Sequence, residues 1–194
     1  MDTIRTFIAI ELPETVKSAL AQIQDELKRE MYTCVKWVNP CSIHLTLKFL
    51  GEVEKTKIQS ISTVVKEASL PSKPFKLSID KSGVFPNMRR PRVIWAGIVG
   101  ELDALNTLQQ SIENQLVPLG FPLEKRRFSP HLTLGRVKDG TSLQDCSRLG
   151  QSVSSLKIVS KPVFEICSVS FMQSVLSREG ATYSCLASIA LQNT

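Results

Sequence analysis

Apolar residues follow two different periods along this chain, and the changes between them divide it into strands and helices. Residues 3–12 alternate and are rich in Ile and Phe, which is typical of a strand. Residues 14–30 repeat apolar side chains at helical spacing after Pro13, which a first helical turn tolerates. The same criteria predict strands at 35–38, 43–50, 75–84, 92–99, 128–137, 163–175 and 182–191, and helices at 56–68, 102–116 and 143–156.

One tetrapeptide occurs twice. The run His-Leu-Thr-Leu at 44–47 returns unchanged at 131–134, an offset of 87 positions (131 minus 44). The same offset carries Ile-Ala at 8–9 onto Trp-Ala at 95–96, and both of these pairs lie in strands that precede a helix and then the motif. We therefore predict an α+β fold with two pseudo-twofold-related lobes, each with an antiparallel sheet and helices, that face each other across a cleft. We expect residues 1–194 to form one such bilobal domain.

The repeated motif has a polar face and an apolar face when it lies on a strand. Side chains alternate, so His44 and Thr46 point to one side of the sheet while the two leucines point to the other. His131 and Thr133 repeat this arrangement in the second half. The leucines are thus expected in the core, and if the lobes face each other the two His/Thr pairs meet across the cleft.

Two opposed imidazoles suit the in-line opening of a phosphodiester. The reaction needs a base beside the entering oxygen and an acid beside the leaving oxygen, and histidine can serve as either because its ordinary pKa is about 6.5. The hydroxyls of Thr46 and Thr133 can donate hydrogen bonds to the non-bridging oxygens. No other histidine occurs in the 194 residues, so we expect His44 and His131 to be catalytic rather than structural.

Composition restricts the other functions open to the chain. The apolar fraction of 42% and the charged fraction of 22% are ordinary for a globular protein, and no apolar run is long enough to span a bilayer. The N-terminal segment does not resemble a signal peptide, so we expect a cytoplasmic protein with no membrane partner, by default a monomer. Five cysteines without a C-x-x-C pair, and no carboxylate at ligand spacing beside either histidine, predict free thiols that mostly pack, no metal site and no cofactor.

Basic residues are concentrated although the net charge of +6 is mild. Runs at 89–92 and 125–127 precede the second motif, and Arg136 and Lys138 follow it. A single run of this kind is typically a solvated loop. Two runs near the same motif favour an anionic partner.

Taken together, these residues resemble the two-histidine (2H) phosphoesterase superfamily, which paired H-x-T-x motifs mark. Within it, the chain is similar to the RNA 2′,3′-cyclic phosphodiesterases, historically named 2′-5′ RNA ligases. The similarity covers nearly the whole chain, and its segments are Arg-Thr-Phe-Ile-Ala-Ile-Glu-Leu-Pro at 5–13, Trp-Val at 37–38, Phe-Leu-Gly-Glu-Val at 49–53, Gly-Val-Phe-Pro at 83–86, Pro-Arg-Val-Ile-Trp-Ala-Gly at 91–97, Phe-Ser-Pro at 128–130, Gly-Arg at 135–136 and Gly-Ala-Thr-Tyr at 180–183. The segment Phe-Met-Gln-Ser at 171–174 departs from the pattern, which is more aromatic there.

The resemblance implies a bilobal α+β fold and metal-independent hydrolysis of a terminal 2′,3′-cyclic phosphate on RNA to a 2′-phosphate. It implies that His44 donates a proton to the departing 3′ oxygen and that His131 is the base that activates water; the near-symmetric motifs alone do not assign these roles. It also implies the reverse transfer to a 5′-hydroxyl RNA end, which forms a 2′-5′ linkage, and it suggests cleaved tRNA as a substrate.

Three further residues are candidates for substrate binding. Arg136 matches the family arginine that approaches the phosphate, provided that a bulge at Gly135 turns it away from the leucine face; a solvent-facing strand-end arginine is the alternative. Arg92 is expected to be either an edge residue or a contact to the RNA backbone. Phe49 holds in the first motif the position of Arg136 in the second, and it can stack on a base or pack in the core.

Two other interpretations are open at this point. The same chemistry could act on a small cyclic nucleotide or on a cyclic phosphate of ADP-ribose. The chain could instead bind RNA ends that carry a cyclic phosphate without turning them over, although the two intact motifs weigh against this.

The tryptophans, Trp37 and Trp95, are expected in the core.

Overall fold

Nine strands form one curled antiparallel sheet in this computed structural model, which describes residues 2–31, 33–177 and 180–192. Four helices in the described residues cover one face of the sheet. The strands are β1 (Thr3–Glu11), β2 (Val35–Trp37), β3 (His44–Glu54), β4 (Phe75–Phe85), β5 (Val93–Gly100), β6 (His131–Val137), β7 (Val163–Ile166), β8 (Ser168–Leu176) and β9 (Ala181–Ala190). The helices are α1 (Glu14–Met31), α2 (Ile58–Ser69), α3 (Leu102–Leu116) and α4 (Leu143–Ser155).

The order of the strands shows the predicted twofold arrangement. The order is β7-β4-β5-β6-β3-β1-β8-β9, and β2 pairs with β6. The motif strands β3 and β6 lie at the centre and share one register pair, in which Leu45 lies opposite Leu132. Each motif strand is flanked on its outer side by the strand that begins its own repeat, β1 or β5. The α+β fold with two similar lobes is thus confirmed, with the lobes joined at a central seam.

Each sequence repeat contributes strands to both lobes. After α2, the first repeat continues into β4, which pairs with β5 of the second repeat. After α4, the second repeat continues into β8, which pairs with β1 of the first. The lobes are therefore intertwined by the exchange of a strand, and neither repeat completes its own lobe.

A continuous apolar core lies between the sheet and the helices. The four motif leucines, Leu45, Leu47, Leu132 and Leu134, are each at most 3% exposed, as the parity of the motif predicted. The helices contribute Leu20, Ile23, Ile61, Val65, Leu105, Ile112, Leu149 and Val153 to this core. The alternate side chains of the strands consequently point to the opposite face, which the helices leave open.

Two expected element boundaries were wrong. The expected strand at 163–175 is interrupted at Cys167, because β7 pairs with β4 in one lobe and β8 pairs with β1 in the other. Strand β3 continues past Gly51 to Glu54, because Gly51 adopts a φ of +73° and the pairing with β1 resumes there, at Thr6, after a register shift that leaves Leu50 unpaired. Strand β6 lies within the expected segment 128–137 and occupies residues 131–137 of it. Between the two expected C-terminal strands, where Gly180 predicts a turn, residues 178 and 179 lie outside the described residues.

The five cysteines all lie in the described residues, and no disulfide joins them. Cys146 is buried and Cys34 is half-buried, but Cys41, Cys167 and Cys185 are exposed, so the expectation that most of them pack was wrong. No helix among the described residues is both long enough and apolar enough to cross a membrane.

A buried ion pair connects the first motif strand to the second half. Lys48 Nζ on β3 lies 2.5 Å from Glu113 Oε2 on α3 and 2.9 Å from the Pro122 carbonyl oxygen. The same carboxylate accepts hydrogen bonds from the Glu124 backbone N–H at 3.2 Å and from Gln109 Nε2 at 3.2 Å. Buried charges are tolerated when an opposite charge and further hydrogen bonds compensate them, as they do here.

We expect Lys48→Met to lower the free energy of unfolding by about 3–5 kcal/mol, because it leaves the Glu113 carboxylate buried without its cation. The double change Lys48→Met with Glu113→Leu is expected to cost much less than the single one, because it removes both charges. Urea unfolding monitored by circular dichroism measures both. Lys55→Met, which breaks the exposed pair with Asp2, is the control and should change stability by less than about 1 kcal/mol. A cost of Lys48→Met no larger than this control contradicts the prediction.

Candidate functional site

Both histidines and both motif threonines lie half-buried on the open face of the sheet, at the seam between β3 and β6. The strands are antiparallel and Leu45 is opposite Leu132, so His44 comes beside Thr133 and Thr46 comes beside His131. Among the described residues, neither threonine hydroxyl is engaged in a side-chain hydrogen bond. The sequence prediction that the two His/Thr pairs meet is therefore realised through this cross-strand arrangement.

The two imidazole rings are held by the same contact. The Nδ1 atom of His44 lies 2.9 Å from the Ser42 carbonyl oxygen, and that of His131 lies 2.7 Å from the Ser129 carbonyl oxygen. A carbonyl oxygen can only accept, so each Nδ1 carries the proton and each Nε2 is the atom that gains or loses one. Ser42 and Ser129 are also 87 positions apart (129 minus 42), a sign in the sequence that the repeat begins before the histidines.

The His44 ring is enclosed by two aromatic side chains. Phe7 of β1 stacks on it with a centroid separation of 4.6 Å, and Tyr183 of β9 meets it edge-on at 4.9 Å. This burial lowers the pKa of His44, while the Ser42 carbonyl and the Glu11 carboxylate oppose the shift. Glu11 is the register partner of His44 on β1, so a negative charge lies beside this histidine.

The surroundings of His131 are different. A single ring, Phe85 of β4, meets the imidazole edge-on at 5.1 Å. The register partner of His131 on β5 is Gly97, so the place that Glu11 holds beside His44 carries no side chain here. The two histidines thus share a backbone geometry but differ in burial and in neighbouring charge.

Trp95 lies on the open face, and the expectation that it packs in the core was wrong. It is the register partner of Thr133, so the two side chains point to the same side. Its ring lies against Gly83, where an added Cβ would come within 2.3 Å of it, and packs 5.2 Å from Phe85. Glycine at 83 therefore makes room for the ring, whereas Trp37 packs against the core as expected.

A bulge turns Arg136 to the open face. Trp95 pairs with Thr133 and its neighbour Ile94 pairs with Gly135, which leaves Leu134 as the extra residue. Arg136 then pairs with Val93, which alternates with Trp95 along β5 and lies on its face. The structure thus contains the bulge that the sequence suggested beside Gly135.

A matching bulge turns Phe49 to the same face. Ala9 pairs with Thr46 and Ile8 pairs with Lys48, which leaves Leu47 as the extra residue. Phe49 then pairs with Phe7, and its side chain is 67% exposed, so core packing is ruled out for it. The pairing also shows that Ala9 and Trp95 are equivalent positions, one residue away from the expected equivalence of Ala9 with Ala96.

Tyr183, one of the two aromatic side chains that enclose the His44 ring, also lies near two arginines. Burial raises the pKa of the Tyr183 phenol, while the Arg136 and Arg5 guanidinium groups lower it. Arg5 and Arg136 therefore lie near this phenol, beside His44. Sequence reasoning missed Tyr183, Phe7 and Arg5 as site residues, although the strand parity of β1 already puts Phe7 and Arg5 on the side of Ala9.

Arg92 lies away from the histidine pair, immediately before the first residue of β5. Its backbone N–H donates to the Phe85 carbonyl oxygen at 2.7 Å, and its carbonyl oxygen accepts from the Val137 N–H at 2.9 Å. Its exposed side chain lines a cavity of about 500 Å³ that Arg136 also lines. Over the described parts of the chain, no three His, Cys, Asp or Glu side chains are grouped as a metal site would require.

Comparison with known proteins identifies relatives over the whole chain. The family model described as LigT like Phosphoesterase matches residues 10–95 and again residues 98–183. A Methanothermobacter thermautotrophicus protein named RNA 2′,3′-cyclic phosphodiesterase is 37% identical over 180 residues, which cover 93% of this chain and 95% of the relative. A Methanocaldococcus jannaschii protein of the same name is 33% identical over 93% of this chain and 96% of the relative.

Solved structures share the fold. The crystal structure of TT0787 of Thermus thermophilus has a TM-score of 0.81 at 25% identity and covers 97% of this chain and 98% of its own. Escherichia coli LigT, in a crystal structure complexed with 3′-AMP, has a TM-score of 0.76 at 23% identity over 99% of this chain and 100% of its own. The family model thus matches the chain twice, once from the end of β1 into β5 and once from the end of β5 into β9. The chain belongs to the LigT-like phosphoesterase family.

Proposed function

We propose that this chain opens the 2′,3′-cyclic phosphate at an RNA end to a 2′-phosphomonoester, by acid–base catalysis with His44 and His131 and without a metal ion. The observation that carries the proposal is the shared geometry of the two rings. Each Nδ1 is hydrogen-bonded to the carbonyl oxygen of the residue two positions before its histidine. The two Nε2 atoms, which lie at the same seam, therefore remain for proton transfer. The names of the relatives support the choice of substrate.

In the proposed mechanism, His131 Nε2 takes a proton from water as the water oxygen attacks phosphorus. The bond between phosphorus and O3′ breaks, and His44 Nε2–H donates its proton to the departing O3′. The product carries a 2′-phosphate and a 3′-hydroxyl, and the histidines return to their starting states by exchange with solvent. Thr46 and Thr133 donate hydrogen bonds to the non-bridging oxygens, and Arg136 stabilises their negative charge.

The negative charge beside His44 supports this assignment of roles, whereas the burial of its ring acts against it. The Glu11 carboxylate beside His44 favours the imidazolium form that a proton donor requires, and no carboxylate occupies the matching place beside His131. Because burial outweighs Glu11 and leaves the pKa of His44 below its ordinary value, the imidazolium is a strong acid once formed. An anionic cyclic phosphate at the seam would favour the same protonated form.

The remaining proposed roles concern the RNA and the unit that acts on it. The exposed Phe49 stacks on a base, and Arg92 contacts the RNA backbone. The same acid and base in exchanged roles permit the reverse transfer to a 5′-hydroxyl end, with a 2′-5′ linkage as the product. We propose one bilobal domain over residues 1–194 that acts as a cytoplasmic monomer on RNA such as cleaved tRNA.

We expect the purified protein to convert a short RNA with a 2′,3′-cyclic phosphate to the 2′-phosphate in the presence of EDTA, as read by the ³¹P spectrum of the product. His44→Ala and His131→Ala should each reduce kcat by about two orders of magnitude or more, because each removes one proton-transfer group. The wild-type rate should follow a bell-shaped pH profile, since one histidine must be protonated and the other neutral. Exclusive formation of the 3′-phosphate, loss of activity with EDTA, or near-normal turnover by either variant contradicts the proposal.

We expect His44 to titrate below the ordinary histidine pKa, because Phe7 and Tyr183 shield its ring from water. Phe7→Ala should expose the ring and raise this pKa towards about 6.5. The titration can be followed by ¹H–¹⁵N NMR of the imidazole nitrogens. Phe85→Ala, which removes the ring beside His131, is the matched control and should leave the His44 titration in place. No change in the His44 titration with Phe7→Ala would show that burial by this ring is not the cause.

A further inference from the structure

A cavity lined by basic side chains adjoins the seam on the side of β6. It measures about 500 Å³, and its walls carry four cationic groups, on Arg90, Arg92, Arg136 and Lys138, and one carboxylate, on Asp139. Among the residues that the structure describes, none of the four cations forms an ion pair. Unpaired positive charge around a cavity of this size favours an anionic ligand larger than a single phosphate.

Hydrogen bonds and one close backbone contact fix the turns that form the walls of this cavity. The Asn87 side chain accepts hydrogen bonds from the N–H groups of Arg89 and Arg90, each at 3.1 Å. The Met88 carbonyl oxygen rests on α4 where a Cβ at Gly150 would come within 2.3 Å of it. On the other wall, the Thr141 hydroxyl donates to the Lys138 carbonyl oxygen at 2.7 Å. The charged side chains therefore extend from anchored turns.

Arg136 connects the cavity to the catalytic seam. It lines the cavity, and the bulge in β6 also places it on the face of Thr133. A chain of phosphates whose terminal cyclic group lies at the histidines can thus continue past Arg136 to Arg90, Arg92 and Lys138. We infer that this cavity binds the phosphodiester backbone of the nucleotides that precede the cyclic end, an inference that rests on the proposed function.

The test compares an oligonucleotide of four residues with a mononucleotide, both ending in a 2′,3′-cyclic phosphate. We expect a higher kcat/KM for the oligonucleotide, because only it carries phosphodiesters that reach the cavity. Arg90→Gln with Lys138→Gln should reduce this preference by about tenfold or more, and should make the salt dependence of the oligonucleotide reaction shallower by about 1.4 log units per log unit of salt. Lys125→Gln with Arg126→Gln removes the same charge from the other basic run and should leave the preference intact.

The outcomes separate the two proposals. If the wild-type protein opens neither substrate, the proposed function fails. If it opens both and the Arg90/Lys138 double variant keeps the full preference for the oligonucleotide and its salt dependence, the cavity is not the RNA path and the proposed function stands. Loss of preference with the control double variant as well would show a general effect of charge and overturn the assignment to this cavity.

A second inference comes from two buried glutamines. On α1, Gln24 is fully buried, and its Nε2 donates to the Leu134 carbonyl oxygen at 2.8 Å and to that of Val38 at 2.7 Å. On α3, the buried Gln109 donates from its Nε2 to the Leu47 carbonyl oxygen at 3.4 Å. Leu47 and Leu134 are the extra residues of the two bulges, so the helix that begins in each repeat contacts the bulge of the other repeat.

We propose that these glutamines are positioning residues that keep the bulges in place. The extra residue of a bulge is left out of the ladder in which the bulge lies, and the Leu134 carbonyl oxygen accepts the Val38 N–H at 3.0 Å in addition to the Gln24 amide. An amide that adds a hydrogen bond to such a carbonyl favours the bulged over the regular register. The bulge at Leu134 directs Arg136 to the open face, and the bulge at Leu47 directs Phe49 there. Gln24 thus acts through Arg136 and Gln109 through Phe49.

Double-mutant cycles on kcat/KM test this pairing. Gln24→Leu should lower kcat/KM by about tenfold in the wild type and by much less in an Arg136→Ala background, where there is no guanidinium left to position. The effect of Gln24→Leu should persist in a Phe49→Ala background, while that of Gln109→Leu should shrink there. The proposal is overturned if the effects of Gln24→Leu and Arg136→Ala on kcat/KM are fully additive. It is also overturned if Gln24→Leu changes Tm but leaves kcat/KM unaltered. If no variant or wild-type protein turns over a cyclic phosphate, the proposed function fails first.

Discussion

The structure depends on the contact between Leu45 and Leu132, the single register pair that joins the two motif strands. Both leucines are fully buried beneath the helices. Because side chains alternate along a strand, burying this pair forces the preceding histidine and the following threonine of each motif onto the open face. A slip of one residue in either strand would bury an imidazole and expose a leucine. Core packing and the placement of the polar groups are therefore a single requirement of the sequence.

A twofold scaffold by itself supplies two equivalent histidines, whereas acid–base catalysis requires two different ones. The difference comes from residues that the repeat does not share. Glu11 lies beside His44 while Gly97 takes the matching place beside His131. The outer strands differ as well, because β9 has ten residues and brings Tyr183 onto the His44 ring, whereas its counterpart β7 has only four. The symmetric core thus sets where the histidines are, and the asymmetric edges set their electrostatic environments.

The features that could be predicted from the sequence are those with a local cause. The motif leucines, the polar face of the motifs and most helices follow from periodicity alone. The division of 163–175 into β7 and β8 does not, because both strands are apolar and only their partners in different lobes separate them. Phe7 and Tyr183 are 176 positions apart (183 minus 7), so their meeting at His44 is a property of the folded sheet. The glycine at 135 indicated the bulge in β6. Lys48 holds the matching place in β3 and gave no such signal, so the sequence could not decide whether Phe49 stacks on a base or packs in the core.

Orientation and separation of the histidines are controlled by different parts of the molecule. The carbonyl oxygen that holds each Nδ1 belongs to a residue two positions earlier, so the entry to each strand orients its own ring. At His44 that entry is a short 3₁₀ turn, in which the Asn39 side chain accepts the Cys41 N–H and the Asn39 carbonyl oxygen accepts the Ser42 N–H. The relative position of the rings is set elsewhere, by the central leucine pair that fixes the register of the two motif strands. Since neither control involves a substrate, the two Nε2 atoms to which we assign proton transfer are in place before one binds, and the proposed reaction would need little reorganisation.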